Sequence, residues 1–338
     1  MSRRCEPGTL RRPPRLQRGD RIAVAAPSGI TQTSGRLTRG VAALKSLGFE
    51  VVVGSQVMAG DPGKRTAQNR ADELNGFLRD QTVRAVIAAI GGDTTNAVLP
   101  LVDYAALRRD PKIICGYSDI TALLLACHQL AGMVTFHGPT LLPEIAEFPA
   151  AQPYTLHYLK WAVGRARPVG RLTPAEAWTD EFLLWDHHDD RPRAMRQSGG
   201  WRWLSGGSAS GPLLGGNLET VSALAGTRYF PDFAGAVVFL ETASDNIDLI
   251  ERSMTHLGML GVFTAASAVL LGRPFRAEAE FGNQLSELLL HHIAGRPIPV
   301  AADVDLGHTD PMLTLPIGVR ADVDGAARIV EIVDAAVS

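Results

Sequence analysis

The chain lacks most of the features that place a protein in a special class. None of its apolar runs approaches the ~18 residues a membrane-spanning helix needs, which argues against a membrane partner. Neither sign of charge dominates: 33 Lys and Arg face 35 Asp and Glu, for a formal net charge of −2. That balance gives no basic footprint for nucleic acid or an anionic surface. Cysteine is scarce, and its three copies, Cys5, Cys115 and Cys127, fall into no spaced pattern. A disulfide framework and a zinc site are therefore not expected, and a reducing cytoplasm is the default location. Internal repeats and low-complexity tracts are also missing.

What is present begins with a basic N-terminus. "MSRRCEPGTLRRPPRLQRGD" carries six arginines and three prolines but no apolar segment before Asp20. It does not read as a signal peptide, and residues 1–18 are expected to form a disordered, solvated arm. From residue 19 to about 165, short apolar runs alternate with amphipathic ones: "RIAVAAPSG", "EVVVGS", "VRAVIAAIGGD", "KIICGYSD" and "MVTFHGP" read as strands separated by helices. This alternation predicts an α/β domain with a parallel sheet covered on both faces. The turns after "AAPSG", "AIGGD" and "CGYSD" then share the edge where such sheets bind ligands.

Residues 166–205 change character and are expected to be a linker and substrate loop. Four of the five tryptophans lie here, Trp178, Trp185, Trp201 and Trp203. Trp185 is a candidate ligand platform, whereas Trp201 and Trp203 are equally suited to packing on a second domain. Residues 206–338 are richer in strands, and Asp324-Gly325 between alternating runs predicts a hairpin. A C-terminal, β-rich mixed α/β domain is the expectation.

Ser118 raises the sharpest chemical question. In "ICGYSDITALLLA" it stands where an apolar strand turns into a helix, so its hydroxyl projects beside the helix N-terminal N–H groups. It is either a nucleophile on an elbow or an N-cap, Ser118 or Asp119 serving the helix alone. A serine nucleophile needs a base and an orienting acid. Of nine histidines, His308 stands apart in a polar "GHTDP" turn after a strand, and Glu241 ends the apolar strand "AVVFLE". The paired His187-His188 in "WDHHDD" cannot converge easily on a metal. The turn "GGDTTN" has three readings: an oxyanion donor through Gly92, a phosphate cradle in a nucleotide-binding phosphotransferase, or a plain tight turn. No Walker-type lysine follows it.

Taken together, "GDRIAVAAPSG", "AIGGDTTNAVLP", "GYSDITALL", "FHGP", "GPLLGGNLETVSALAGTRYFPD", "VVFLET" and "GHTDPMLTLPIGV" resemble the LD-carboxypeptidase family of serine peptidases. "WTDEFLLWDHHDDRPR" and "GWRWLSGG" resemble its microcin-immunity branch. The resemblance implies a flavodoxin- or Rossmann-like N-terminal domain with the serine, a β-rich C-terminal domain with the acid and base, and a homodimer. It implies Ser118 as nucleophile, His308 as general base, Glu241 as its partner, and the amides of Gly92 and Asp119 (with Asp93 as a neighbour) as oxyanion donors. Trp185 and Asn217 become candidate substrate contacts, with a turn-stabilising role equally open for Asn217. Neither metal nor cofactor is implied. The implied substrate is a small peptide or peptidyl-nucleotide, with a murein tetrapeptide as the alternative. Ser244 and Asp245 stand where the microcin-immunity branch tends to carry basic residues.

Overall fold

The computed structural model describes residues 10–30, 34–185, 187–276 and 279–338. Its first five strands, β1 (Arg21–Ala25), β2 (Glu50–Val53), β3 (Val83–Ala88), β4 (Ile113–Gly116) and β5 (Thr135–His137), are the runs read from the sequence. They pair in parallel in the order β5-β4-β3-β1-β2, with helices as crossovers. β3 and β4 are almost wholly buried because helices cover both faces, which is why they are continuous apolar runs.

The later strands are β6 (Pro168–Arg171), β7 (Ala177–Trp178), β8 (Arg196–Gln197), β9 (Arg202–Ser205), β10 (Ser208–Asn217), β11 (Val237–Glu241), β12 (Ala268–Gly272), β13 (Val300–Val304), β14 (Leu315–Ile317), β15 (Arg320–Asp324) and β16 (Ile329–Ala335). Eight of them make a mixed sheet in the order β6-β16-β15-β10-β11-β12-β13-β9, parallel through its β10–β13 centre. β7 and β8 form a small ribbon at the base of the Trp185 loop.

Four expectations change on contact with the structure. The arm does not float over its described part: Arg11 bridges to Met133, the amides of Arg15 and Leu16 bond to Ser338 and Val163, and Leu16 is buried. Residues 1–9, with Cys5, lie outside the described residues. The supposed linker contributes both edge strands of the second sheet, β6 and β9, so only the stretch between them is loop. β14, from the C-terminal half, adds antiparallel to β5 and closes the first sheet, so the two sheets share chain. The hairpin between β15 and β16 forms, but with Asp324 opposite Ile329, so four residues turn it instead of two. Cys115 and Cys127 are buried free thiols. Among the described residues, no helix is long and apolar enough to cross a membrane.

Candidate active site

The candidate residues meet where the carboxyl ends of the two sheets face each other. β4 ends at Gly116, Tyr117 remains extended, and Ser118 adopts φ 59° before the helix Thr121–Ala131 begins. A left-handed serine costs about 1–3 kcal/mol, so the surroundings must hold it there. Asp119 supplies the hold. Its buried carboxylate accepts Ser28 Oγ at 2.5 Å and the Thr95 amide at 2.8 Å, and Ser28 Oγ in turn accepts the Thr94 amide at 3.2 Å. One carboxylate thus ties the elbow to the turns after β1 and β3. Neither Ser28 nor Thr95 was singled out from sequence, because their link to Asp119 crosses three separate turns.

The glycine pair is explained by contact. A methyl group on Gly91 would lie 2.8 Å from Ser118 Cβ and 2.9 Å from its Oγ, so only hydrogen fits against the elbow. Gly92 has φ 148°, a conformation that disfavours any side chain, and a Cβ there would strike Ser28 Oγ at 2.4 Å. The "GGDTTN" turn is therefore folded onto Ser118, with the Thr94 and Thr95 amides already spent on protein groups. That leaves a poor phosphate cradle.

His308 comes from the turn after β13 and Glu241 from the end of β11. His308 Nε2 lies 3.1 Å from Ser118 Oγ, and Nδ1 lies 2.7 Å from Glu241 Oε2. Glu241 is 1% exposed. Burial opposes its charge, but attraction and a hydrogen bond to His308, joined by His137 and Asn217, hold the carboxyl below its ordinary value. For His308, burial alone would lower the pKa, yet attraction to Glu241 leaves it raised. Tyr117 packs edge-on against the His308 ring with centroids 4.9 Å apart. Behind it, Tyr117 Oη donates to Glu144 at 2.7 Å, and burial beside Asp310 pushes the Glu144 carboxyl up to about 8. Buried His137, packed edge-on against Phe239 at 5.1 Å, has its pKa lowered by burial to about 4 and stays neutral.

A cavity of about 350 Å³ opens on Ser118 and His308, with Trp185 in its far wall. The Arg36 guanidinium lies 4.5 Å over the Trp185 ring and bonds to Asp189 at 2.5 Å and Glu147 at 3.4 Å. Arg193 clamps Glu147 and Asp310, each at 2.6 Å. These ion pairs were invisible in sequence, since their members lie on separate elements far apart along the chain. Asn217 is placed in a second cavity on the other side of Ser118, where its Oδ1 accepts from the Thr220 amide and caps the helix Leu218–Leu224. Its turn role is thus realised, at the edge of the site. Ser244 lines the same cavity. Among the described residues, no group of three or more His, Cys, Asp and Glu is placed to hold a metal ion.

The description "LD-carboxypeptidase N-terminal domain" matches residues 22–138, and "LD-carboxypeptidase C-terminal domain" matches residues 210–323. The chain belongs to the LD-carboxypeptidase family. Members of this family are serine-type carboxypeptidases and amidohydrolases, and this chain is one of them. It is 35% identical over 315 residues to a putative carboxypeptidase of Vibrio cholerae, covering 91% of this chain and 93% of that one. It is 33% identical over 305 residues to the microcin C7 self-immunity protein MccF of Escherichia coli, covering 89% and 88%. A solved structure of MccF with glutamyl sulfamoyl guanosine superposes with a TM-score of 0.89 at 30% identity, over 97% of this chain and 99% of that one. MccF has also been solved with aspartyl sulfamoyl adenosine, and as an active-site variant with a serine, an asparagine and a lysine replaced by alanine. The first match spans β1–β5, the second spans β10–β15, and the Trp185 loop falls between them.

Proposed function

We propose that this LD-carboxypeptidase hydrolyses an amide-type bond in an aminoacyl- or peptidyl-nucleotide, through Ser118, His308 and Glu241. The reading rests on one observation: an unbroken Glu241–His308–Ser118 hydrogen-bonded chain, at 2.7 and 3.1 Å, opens into the cavity walled by Trp185. Neutral His308 accepts the Ser118 proton as Oγ attacks the carbonyl carbon. Glu241, held ionised, fixes the ring so that Nδ1 keeps its proton and stabilises the imidazolium that forms. The tetrahedral oxyanion then faces the amides of Gly92 and Asp119, a donor pair of the kind worth about 3 kcal/mol for each donor lost. His308 returns the proton to the leaving nitrogen, and water releases the acyl group by the reverse path. No step calls for a metal or an organic cofactor.

Trp185 offers a flat, half-exposed face at the cavity rim, already backed by Arg36, and a purine stacks well on such a face. MccF, a relative bound to sulfamoyl nucleosides in its solved structures, supports the same direction. A second reading, a murein tetrapeptide with a terminal D-alanine, is favoured by the family description itself. The test is mass-spectrometric hydrolysis of aspartyl-sulfamoyl-adenosine and a murein tetrapeptide in parallel, with wild type and Ser118→Ala. Ser118-dependent release of sulfamoyl-adenosine is the expected result. Release of D-alanine alone selects the second reading.

A further inference from the structure

A cavity of about 230 Å³ opens on the edge of the first sheet opposite the triad, at the amino ends of its strands. Its floor is Ile22 of β1, Ile87 of β3, and Ile113 and Cys115 of β4, each at most 2% exposed. The cavity therefore reaches down to the sheet itself. The helix Ser34–Ser46 supplies Leu44 to one wall, and the helix Pro153–Gly164 supplies Val163 to the other. The N-terminal arm straps the ends of these helices: the Leu16 amide bonds to the Val163 carbonyl and the Gly19 amide to the Gly48 carbonyl, both at 2.8 Å.

The charge at the mouth is one-sided. Arg18, Lys160 and Arg165 line it, and no Asp or Glu does. Among the described residues, none of these three cations has a carboxylate within ion-pair distance, whereas Arg36, Arg193 and Arg273 are all paired inside the fold. The Arg18 guanidinium lies over Gly48, where a Cβ would stand 3.0 Å from its central carbon. The Arg165 guanidinium lies 4.5 Å over the Trp161 ring. Neither contact uses the planar donor fork that suits a carboxylate. The whole chain carries a formal net charge of −2, so this excess of positive charge belongs to the mouth and not to the surface at large. An apolar slot alone accepts any greasy chain, but three cations without an acid select an anionic head.

We propose that this crevice binds one free anionic amphiphile, a medium-chain fatty carboxylate in type. Its alkyl chain lies on the sheet, and its carboxylate meets Arg18, Lys160 and Arg165. The volume is below the range usual for drug-sized ligands, which suits a single slender chain. Residues 1–9 do not complement the mouth, since Arg3 and Arg4 outnumber Glu6. The proposal does not depend on what the triad hydrolyses.

The experiment is isothermal titration calorimetry of the full chain with hexanoate, octanoate and decanoate below their micelle concentrations, beside octanol and octylamine. One site is expected, tightening by about fourfold per added methylene until the crevice is full. Octanoate should bind about tenfold or more tighter than octanol or octylamine, the size of one charge-assisted contact. Added salt should narrow that gap. The triple variant Arg18→Gln, Lys160→Gln, Arg165→Gln changes only exposed or half-buried side chains, and should lose the preference while still binding octanol. Leu47→Trp, at a half-buried position in the same wall, should weaken every ligand together. Octanoate binding no tighter than octylamine, an affinity independent of chain length, or a preference untouched by the triple variant overturns the proposal. So does a change of oligomeric state in Leu47→Trp by analytical ultracentrifugation, which would give the crevice to a second copy of the chain.

Discussion

The serine elbow and the Trp185 loop form opposite walls of one cavity, and they are held by different forces. The elbow is fixed by apolar burial and short hydrogen bonds: β4 is fully buried, and Asp119, Ser28 and Thr95 bind three turns through a neutral hydroxyl and backbone amides. The Trp185 loop is fixed by charge: Arg36, Arg193, Asp189, Glu147 and Asp310 form a network in which each guanidinium meets two acids. Close packing suits a wall that must hold a nucleophile within tenths of an ångström. Ion pairs suit a wall that shapes a ligand site, because their directionality sets which residues face inward. The comparison teaches that reactivity and recognition in this molecule are built from separate materials, so they should fail separately.

The largest predicted effect tests the elbow. Ser118→Ala should reduce kcat by at least about 10⁴-fold, the scale of removing a triad member. Ser118→Gly should lose as much activity yet raise stability by about 1 kcal/mol, because glycine relieves the left-handed backbone at φ 59°. Urea unfolding beside kinetics measures both. A Ser118→Gly protein no more stable than wild type would contradict the strain.

Next comes the charged wall. Arg193→Met leaves Glu147 and Asp310 buried without their shared cation, and should cost about 3–5 kcal/mol in urea unfolding. The pairs are nearly buried, so added salt should change that loss little. A loss under 1 kcal/mol would put this network in the class of surface ion pairs and weaken the contrast between the walls.

A smaller effect falls on the elbow again. Gly91→Ala places a methyl 2.9 Å from Ser118 Oγ, and the displaced hydroxyl should lower kcat about 10²-fold with KM nearly unchanged. A rise in KM alone would mean that the Gly91 turn binds substrate instead of supporting the nucleophile.

The gentlest tests use pH. His308 must be neutral to act as base, and its pKa is raised in the folded protein. The acidic limb of kcat/KM should therefore lie above the ordinary imidazole value of ~6.5, with activity falling as pH drops through it. Raising its folded pKa means that His308 adds stability at low pH and loses that contribution as pH rises through the folded value. Glu144 acts through the same linkage with a carboxyl raised to about 8. Between its ordinary 4.5 and 8 the folded chain holds a proton that the unfolded chain has lost, so stability falls with rising pH. Glu144→Gln should flatten that slope in denaturant titrations, and an unchanged slope would remove Glu144 as its source.

The legibility of this chain follows the range of its interactions. β1, β3 and β4 were readable because strands buried on both faces must be apolar throughout. The stretch after Gly92 was not, since its helical spacing is broken by Pro100 into two short turns before the helix Tyr104–Arg109. The edge strands β6 and β9 were hidden for a related reason: their half-exposed, charged residues look like loop until a sheet supplies the partner.

The sequence by itself determined that a serine would stand on a strand-to-helix turn, and marked Glu241 and His308 as polar groups ending apolar strands. Periodicity and turn chemistry are local, so they are written in consecutive residues. Only the tertiary structure decided that Asp119 would bind Ser28 and Thr95, that β14 would cross to the first sheet, and that Arg193 would be shared by Glu147 and Asp310. Those outcomes depend on which distant surfaces are buried against each other. A charge acquires or loses its partner only when that burial is complete.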